Sequence, residues 1–221
     1  HFDAFGNNIT GSPGLIGGFD TRKAYLSNEI SPKGITTNGS DFWVVDYLVS
    51  YAFHFDAFGN NITGTPGLVG GFDLKKANLG SHRGITTNGS DFWVVDFLDY
   101  VYHFDAFGNN ITGSPGLIGG FNSRKAHSAI DPYGITTNGS DFWVTDYPTN
   151  YVYHFDAFGN NITGADGGFS TAKASSNTTP VGIDTDVRIN YILNNGKSTI
   201  PNDFWIIDNS GVDYVYHFKR L

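Results

Sequence analysis

Histidine, aspartate and tryptophan recur in this sequence at matched places. His54, His103, His154 and His217 each follow a run of Val, Tyr or Phe, and each lies roughly ten residues after an Asp-Phe-Trp triplet holding Trp43, Trp93, Trp143 or Trp205. Four imidazoles around an axis would suit a metal or a proton relay. The same four residues in patterned strands set back from that axis would instead pack between layers, and this second reading fits the spacing better. The tryptophans could stack on sugar rings if exposed, or wedge between sheets if buried.

Carboxylates repeat just as regularly. Asp46, Asp96, Asp146 and Asp208 close the Phe-Trp runs, while Asp3, Asp56, Asp105 and Asp156 follow each His-Phe pair. Paired carboxylates perform acid/base chemistry when their surroundings drive their pKa values apart. Copies in near-identical surroundings titrate alike, so the repetition points to turn capping through side-chain to backbone bonds. Ca²⁺ is conceivable at Asp3 and the Asn7 region, although no loop has the ligand spacing of an EF-hand. No catalytic residue, resident metal or cofactor is otherwise expected, and the chain does not read as an enzyme.

Eight asparagines stand in glycosylation patterns: Asn8, Asn61, Asn110 and Asn161 in Asn-Ile-Thr, Asn38, Asn88 and Asn138 in Asn-Gly-Ser, and Asn177 in Asn-Thr-Thr. The plainer alternative is duplication of a few turn-forming segments. Tyr47, Tyr51, Tyr100, Tyr147 and Tyr151 fall where the copies differ and are expected in loops, as candidate ligand-facing aromatics. The GLIGG runs at 14–18 and 116–120 and NNGK at 194–197 lack the strand and helix that a phosphate loop needs. Residues 184–201 form the one unrepeated insert, and unlike side chains could gather only there.

The elements positioning these residues are legible as an internal repeat. HFDAFGNNITG starts at His1, His54, His103 and His154, and GITTNGSDFWV starts at Gly34, Gly84 and Gly134, with a blurred copy from Gly182 to Asp208. Units of about 1–53, 54–102, 103–153 and 154–221 therefore make one domain. A period near fifty residues suits a propeller blade, a small sheet that cannot bury both faces until its neighbours stack on it. Each unit supplies four short β-branched and aromatic runs separated by Gly and Asn turns, which predicts four antiparallel strands per blade. The segments after each Gly-Gly-Phe differ most, carry much of the Lys and Arg, and are expected as exposed links.

The order Gly-Ile, then Asp-Phe-Trp-Val-Val-Asp, then Val-Tyr-His-Phe-Asp with a glycine turn resembles the NHL-type and related secreted propeller repeats of bacteria, over nearly the whole chain. That resemblance, to a family of six to eight blades, implies an all-β propeller and carries over no catalytic position; the units here are longer and number four, which makes the expected propeller four-bladed. Ring closure is expected through one blade shared by the N- and C-terminal strands, or through strand exchange between chains. His1-Phe2 and His217-Phe218 compete for the same third-strand position, which keeps head-to-tail assembly open.

The 221 residues are 39% hydrophobic, with 29 glycines, no cysteine and a formal charge of -8. A sizeable core follows, disulfides and thiolate sites are excluded, and a basic footprint for nucleic acid is lacking. No apolar run is long enough for a membrane span. Beginning at His1 without any methionine, the sequence reads as processed or truncated. The function expected is an extracellular or cell-surface, non-catalytic structural or adhesive module, glycosylated and able to polymerise through its terminal strands, with protein or glycan surfaces as partners. The alternative is a multivalent, lectin-like propeller.

Overall fold

The computed structural model describes residues 7–10, 18–25, 30–64, 70–77, 80–113, 119–166, 168–174, 179–185, 203–209 and 214–219. The chain forms four antiparallel sheets, the blades of a β-propeller. Blade 1 contains β1 (Pro32–Thr37), β2 (Phe42–Asp46), β3 (Tyr51–Phe55) and β4 (Phe72–Asp73). Blade 2 contains β5 (His82–Thr87), β6 (Phe92–Asp96), β7 (Tyr100–Phe104) and β8 (Phe121–Asn122). In blade 3 these become β9 (Pro132–Thr137), β10 (Phe142–Asp146), β11 (Tyr151–Phe155) and β12 (Phe169–Ser170). Blade 4 has β13 (Pro180–Thr185), β14 (Asp203–Asp208) and β15 (Val215–Lys219), three strands among the described residues.

Each sheet is a plain meander because Gly and Asn turns join consecutive β-rich runs. The register is repeated: Trp43, Trp93, Trp143 and Trp205 stand opposite His54, His103, His154 and His217. First strands β1, β5, β9 and β13 lie side by side in that order. Glycine permits the approach: a Cβ on Gly34 would sit 2.5 Å from the Arg83 carbonyl oxygen, and one on Gly84 2.6 Å from that of Tyr133.

The core lies between blades. Trp43, Val45 and Ala52 of blade 1 bury against Ile85, Phe92 and Val94 of blade 2, with Phe72 and Leu74 filling the seam. Trp93, Val95 and Val101 meet Ile135, Phe142 and Val144 in the same way. Trp143 and Val152 meet Phe204 and Ile206. A sheet only a few strands wide has no other means of hiding both faces.

The links after each outer strand begin as 3₁₀ turns, and here the expectation of exposure needs correction. Leu74, Ala77, Ser123 and Thr171 are buried, because the first link residues still belong to the seam while the lysines point outward. The expected clasp is half visible. Phe19 packs on Phe42 and Phe55 of blade 1, as Phe72 packs on Phe92 and Phe104 of blade 2. Residues 18–25 thus occupy the place of a preceding blade's outer strand, but no described strand pairs with the free edge of β15. His1-Phe2, and with it the competition for the third-strand position, lies outside the described residues.

Candidate functional site

The repeated histidines form one motif per blade. His54 Nε2 lies 3.0 Å from Asp41 Oδ2, His103 Nε2 3.0 Å from Asp91 Oδ2, His154 Nε2 3.1 Å from Asp141 Oδ2, and His217 Nε2 2.8 Å from Asp203 Oδ1. Each ring also stacks on the tryptophan opposite it, at 4.3 Å for Trp43–His54 and 4.4 Å for Trp93–His103 and Trp143–His154. Burial holds the His54 imidazole below its ordinary value against the pull of Asp41. The motif joins the start of strand 2 to strand 3 inside one sheet, a structural role within the blade where the spacing suggests packing between layers. Among the described residues no three His, Asp or Glu side chains are placed to hold a metal ion, and Asp3 lies outside them.

The carboxylates cap turns. Buried Asp46 accepts from the backbone N–H groups of Ser31 at 2.6 Å, Leu48 at 3.0 Å and Val49 at 3.2 Å. Asp96 and Asp146 repeat this with Ser81 and Leu98, and with Asp131 and the Thr149 hydroxyl. Burial pushes the Asp146 carboxyl up. Asp56 accepts from Asn60 Nδ2 and from the N–H groups of Phe58 and Asn60, and the Asn60 side chain holds it below the usual carboxylate range.

The glycosylation patterns separate into two environments. Asn38, Asn88 and Asn138 turn their Oδ1 inward to accept from the Ser and Asp two and three residues on, and Asn138 is only 1% exposed. Asn8, Asn61, Asn110 and Asn161 are exposed. Asn61 Nδ2 reaches the Lys23 carbonyl at 3.4 Å, and Asn110 and Asn161 make the same link to Lys76 and Lys125. Asn177 and most of the 184–201 insert lie outside the described residues.

The tyrosines also divide. Tyr47 and Tyr147 lie exposed in the turn after strand 2. Tyr51, Tyr100 and Tyr151 are not in loops: they open β3, β7 and β11, are half-buried, and pack on Phe53, Tyr102 and Tyr153. Each pairs with the short outer strand, which fixes it as a strand position.

Sequence reasoning missed the most exposed aromatics. Phe58, Phe107 and Phe158 stand at the tip of the Asp-Ala-Phe-Gly-Asn-Asn turn, Phe58 being 80% exposed. A phenylalanine inside a turn, outside any alternating run, was the available signal. In a meander the first and third connections leave at one end of the blade. That end therefore carries the exposed phenylalanines, Asn61, Asn110 and Asn161, and the Asn-Gly-Ser turns.

A cleft of ≈ 740 Å³ runs along the first strands, bordered by Ile35, Tyr47, Arg83, Tyr133, Ile183 and Trp205. The Arg83 guanidinium lies 3.5 Å from the Tyr133 ring centre and 4.7 Å from that of Phe97, and bonds Asp131. Its charge is thus already partnered.

No protein-family model matches the chain, and no curated protein matches it. Solved structures do. A glutaminyl cyclase from Myxococcus xanthus shares 10% identity at a TM-score of 0.58, over 86% of this chain and 72% of that one. Kuenenia stuttgartiensis hydrazine synthase shares 12% at 0.51, over 87% and 47%. A streptogramin B lyase shares 14% at 0.46, over 86% of this chain and 54% of its own. The likeness is one of fold. This chain spans about half the length of the lyase.

Proposed function

We propose that this chain is a non-catalytic, NHL-like propeller module that works outside the cell as a structural or adhesive element. One observation carries the reading: among the described residues, the repeated histidines and the aspartates beside them are engaged in structural bonds. Histidine is held by aspartate and tryptophan inside each sheet, and the remaining aspartates cap turns. What blades 1 to 3 offer outward is repeated and polyvalent, an exposed phenylalanine beside an exposed Asn-Ile-Thr asparagine. Head-to-tail polymerisation belongs to the same proposal, since self-adhesion needs only a surface that meets its own complement.

Intact mass of natural material tests the extracellular part. The expected result is sugar on the Asn-Ile-Thr asparagines and none on buried Asn138; unmodified asparagines throughout would remove this support. Filaments under the electron microscope would support polymerisation, whereas monomers alone would contradict it.

The second reading is a multivalent glycan-binding module. It is favoured by Phe58, Phe107 and Phe158 at one end and by Tyr47 and Tyr147 at the other, where flat rings lie open for stacking. Glycan-array binding lost on Phe58→Ala, Phe107→Ala and Phe158→Ala together would place it first.

A further inference from the structure

The first and last blades each expose residues at positions that are covered in the seams between blades. Inside the array the seam is built from fixed positions: Trp, Val and Ala or Val of the earlier blade against Ile, Phe and Val of the later. In blade 4 the earlier set is Trp205, Ile207 and Val215, and all three are exposed, Trp205 by 38% where Trp43 is 3%. In blade 1 the later set is Ile35, Phe42 and Val44, of which Val44 is already buried in a cluster that Phe19 covers. Ile35 is 56% exposed where Ile85 and Ile135 are buried, and Phe42 is half-buried.

The backbone tells the same story. A Cβ on Gly134 would meet Gly182 of the next first strand at 3.0 Å, whereas the atoms nearest a Cβ on Gly182 belong to Ile207 of its own blade. The edge of β15 has no described partner strand. Meanwhile Phe19 sits so close to Gly59 that a Cβ there would lie 2.2 Å from its own, as Phe72 sits on Gly108 at 2.0 Å. The segment around Phe19 therefore sits on blade 1 where an outer strand of a preceding blade would sit, with no described sheet of its own.

We propose that the open face of blade 4 binds blade 1 of a second copy of this chain, whose Phe19 segment becomes the fourth strand of the blade 4 sheet. Phe19 would stand opposite Val215 and Asp20 opposite Tyr214, as Phe72 stands opposite Ala52 and Asp73 opposite Tyr51. Docking buries Trp205, Ile207 and Ile35 and pairs a free edge by main-chain hydrogen bonds. Because the two faces differ, the contact is heterologous and repeats until a ring closes or a filament grows. Within one copy the joint stays open: Ile35 and Ile207 border the same cleft, yet each remains half or more exposed. The inference rests on the structural-module reading and names its partner.

Sedimentation velocity over a dilution series tests it with Ile35→Glu and Ile207→Glu, both at exposed positions where a carboxylate leaves the chain's own fold intact. Wild type should associate and each variant alone should be monomeric. An equal mixture of the two should form dimers and nothing larger, since one sound interface remains. A monomeric wild type, or a mixture that stays monomeric, overturns the proposal. Monomeric wild type whose Tm falls on Ile207→Glu would mean that the faces meet within one chain, which also overturns it. Failure of the adhesive reading is distinguishable: it would appear as absent glycan or surface binding with association intact.

Discussion

Blades 2 and 4 are built from the same strand order and the same register, yet one is sealed and the other open. Trp93 and Trp205 occupy equivalent positions, stack on equivalent histidines and face equivalent aspartates. The former is buried beneath Phe142 and the latter is not covered. Burial in this fold is thus a property of having a next blade and not of a blade's own sequence. Stability should follow the same rule, as a sum of blade and seam contributions.

The sharpest way to break this comparison is to truncate both tryptophans. Trp93→Ala should cost ~3–5 kcal/mol in urea unfolding, by cavity formation in a packed seam. Trp205→Ala in the monomer should cost under ~1 kcal/mol, because little packing is lost at an open face. Equal losses would refute the comparison.

Glycine gives a smaller contrast of the same kind. Gly84→Ala places a methyl group 2.6 Å from the Tyr133 carbonyl oxygen and should cost ~1–3 kcal/mol by forcing apart two first strands. Gly182→Ala has the flexible Ile207 side chain as its nearest neighbour and should cost less than half of that, as read from denaturation midpoints at unchanged slope.

Histidine sharpens the picture through pH. Burial holds His82 below its ordinary value, against the bond it makes to the Asp46 carbonyl. The neutral ring is favoured by the fold, so its contribution is full above the unfolded value of about 6.5 and is lost as pH falls through the lower folded value. Pro32, Pro132 and Pro180 hold the equivalent position in the other blades. His82→Pro should therefore gain a few degrees in Tm relative to wild type as pH is lowered from about 7 to 5. Burial raises Asp146, an opposite contribution that the variant retains and that cancels in the difference.

The smallest expected effect is on Phe58. Phe58→Ala should change stability by no more than ~0.5 kcal/mol, since the ring touches little, while weakening any ligand that stacks there.

Much of this was readable from the chain. The β-branched and aromatic runs and the Gly and Asn turns marked the strands and their order, and the period marked the blades. The histidine–aspartate pair was less legible because Asp41 precedes β2 and His54 lies in β3, and only the hairpin register brings them together. The buried Leu74 was misjudged because its neighbours are lysines, and composition averages over a turn that has one inward and several outward positions. Openness of the last seam could not be read at all: Trp205 looks like Trp43 in sequence, and only the absence of a blade packed on it distinguishes them.

The central claim is that each blade is sheltered by the next, and residue-resolved amide hydrogen exchange on the monomer tests it most directly. Amides of β5 to β7 and β9 to β11 should exchange only through global unfolding, while those of β14 and β15 should exchange earlier through local opening. Equal protection of β6 and β14 would contradict the account.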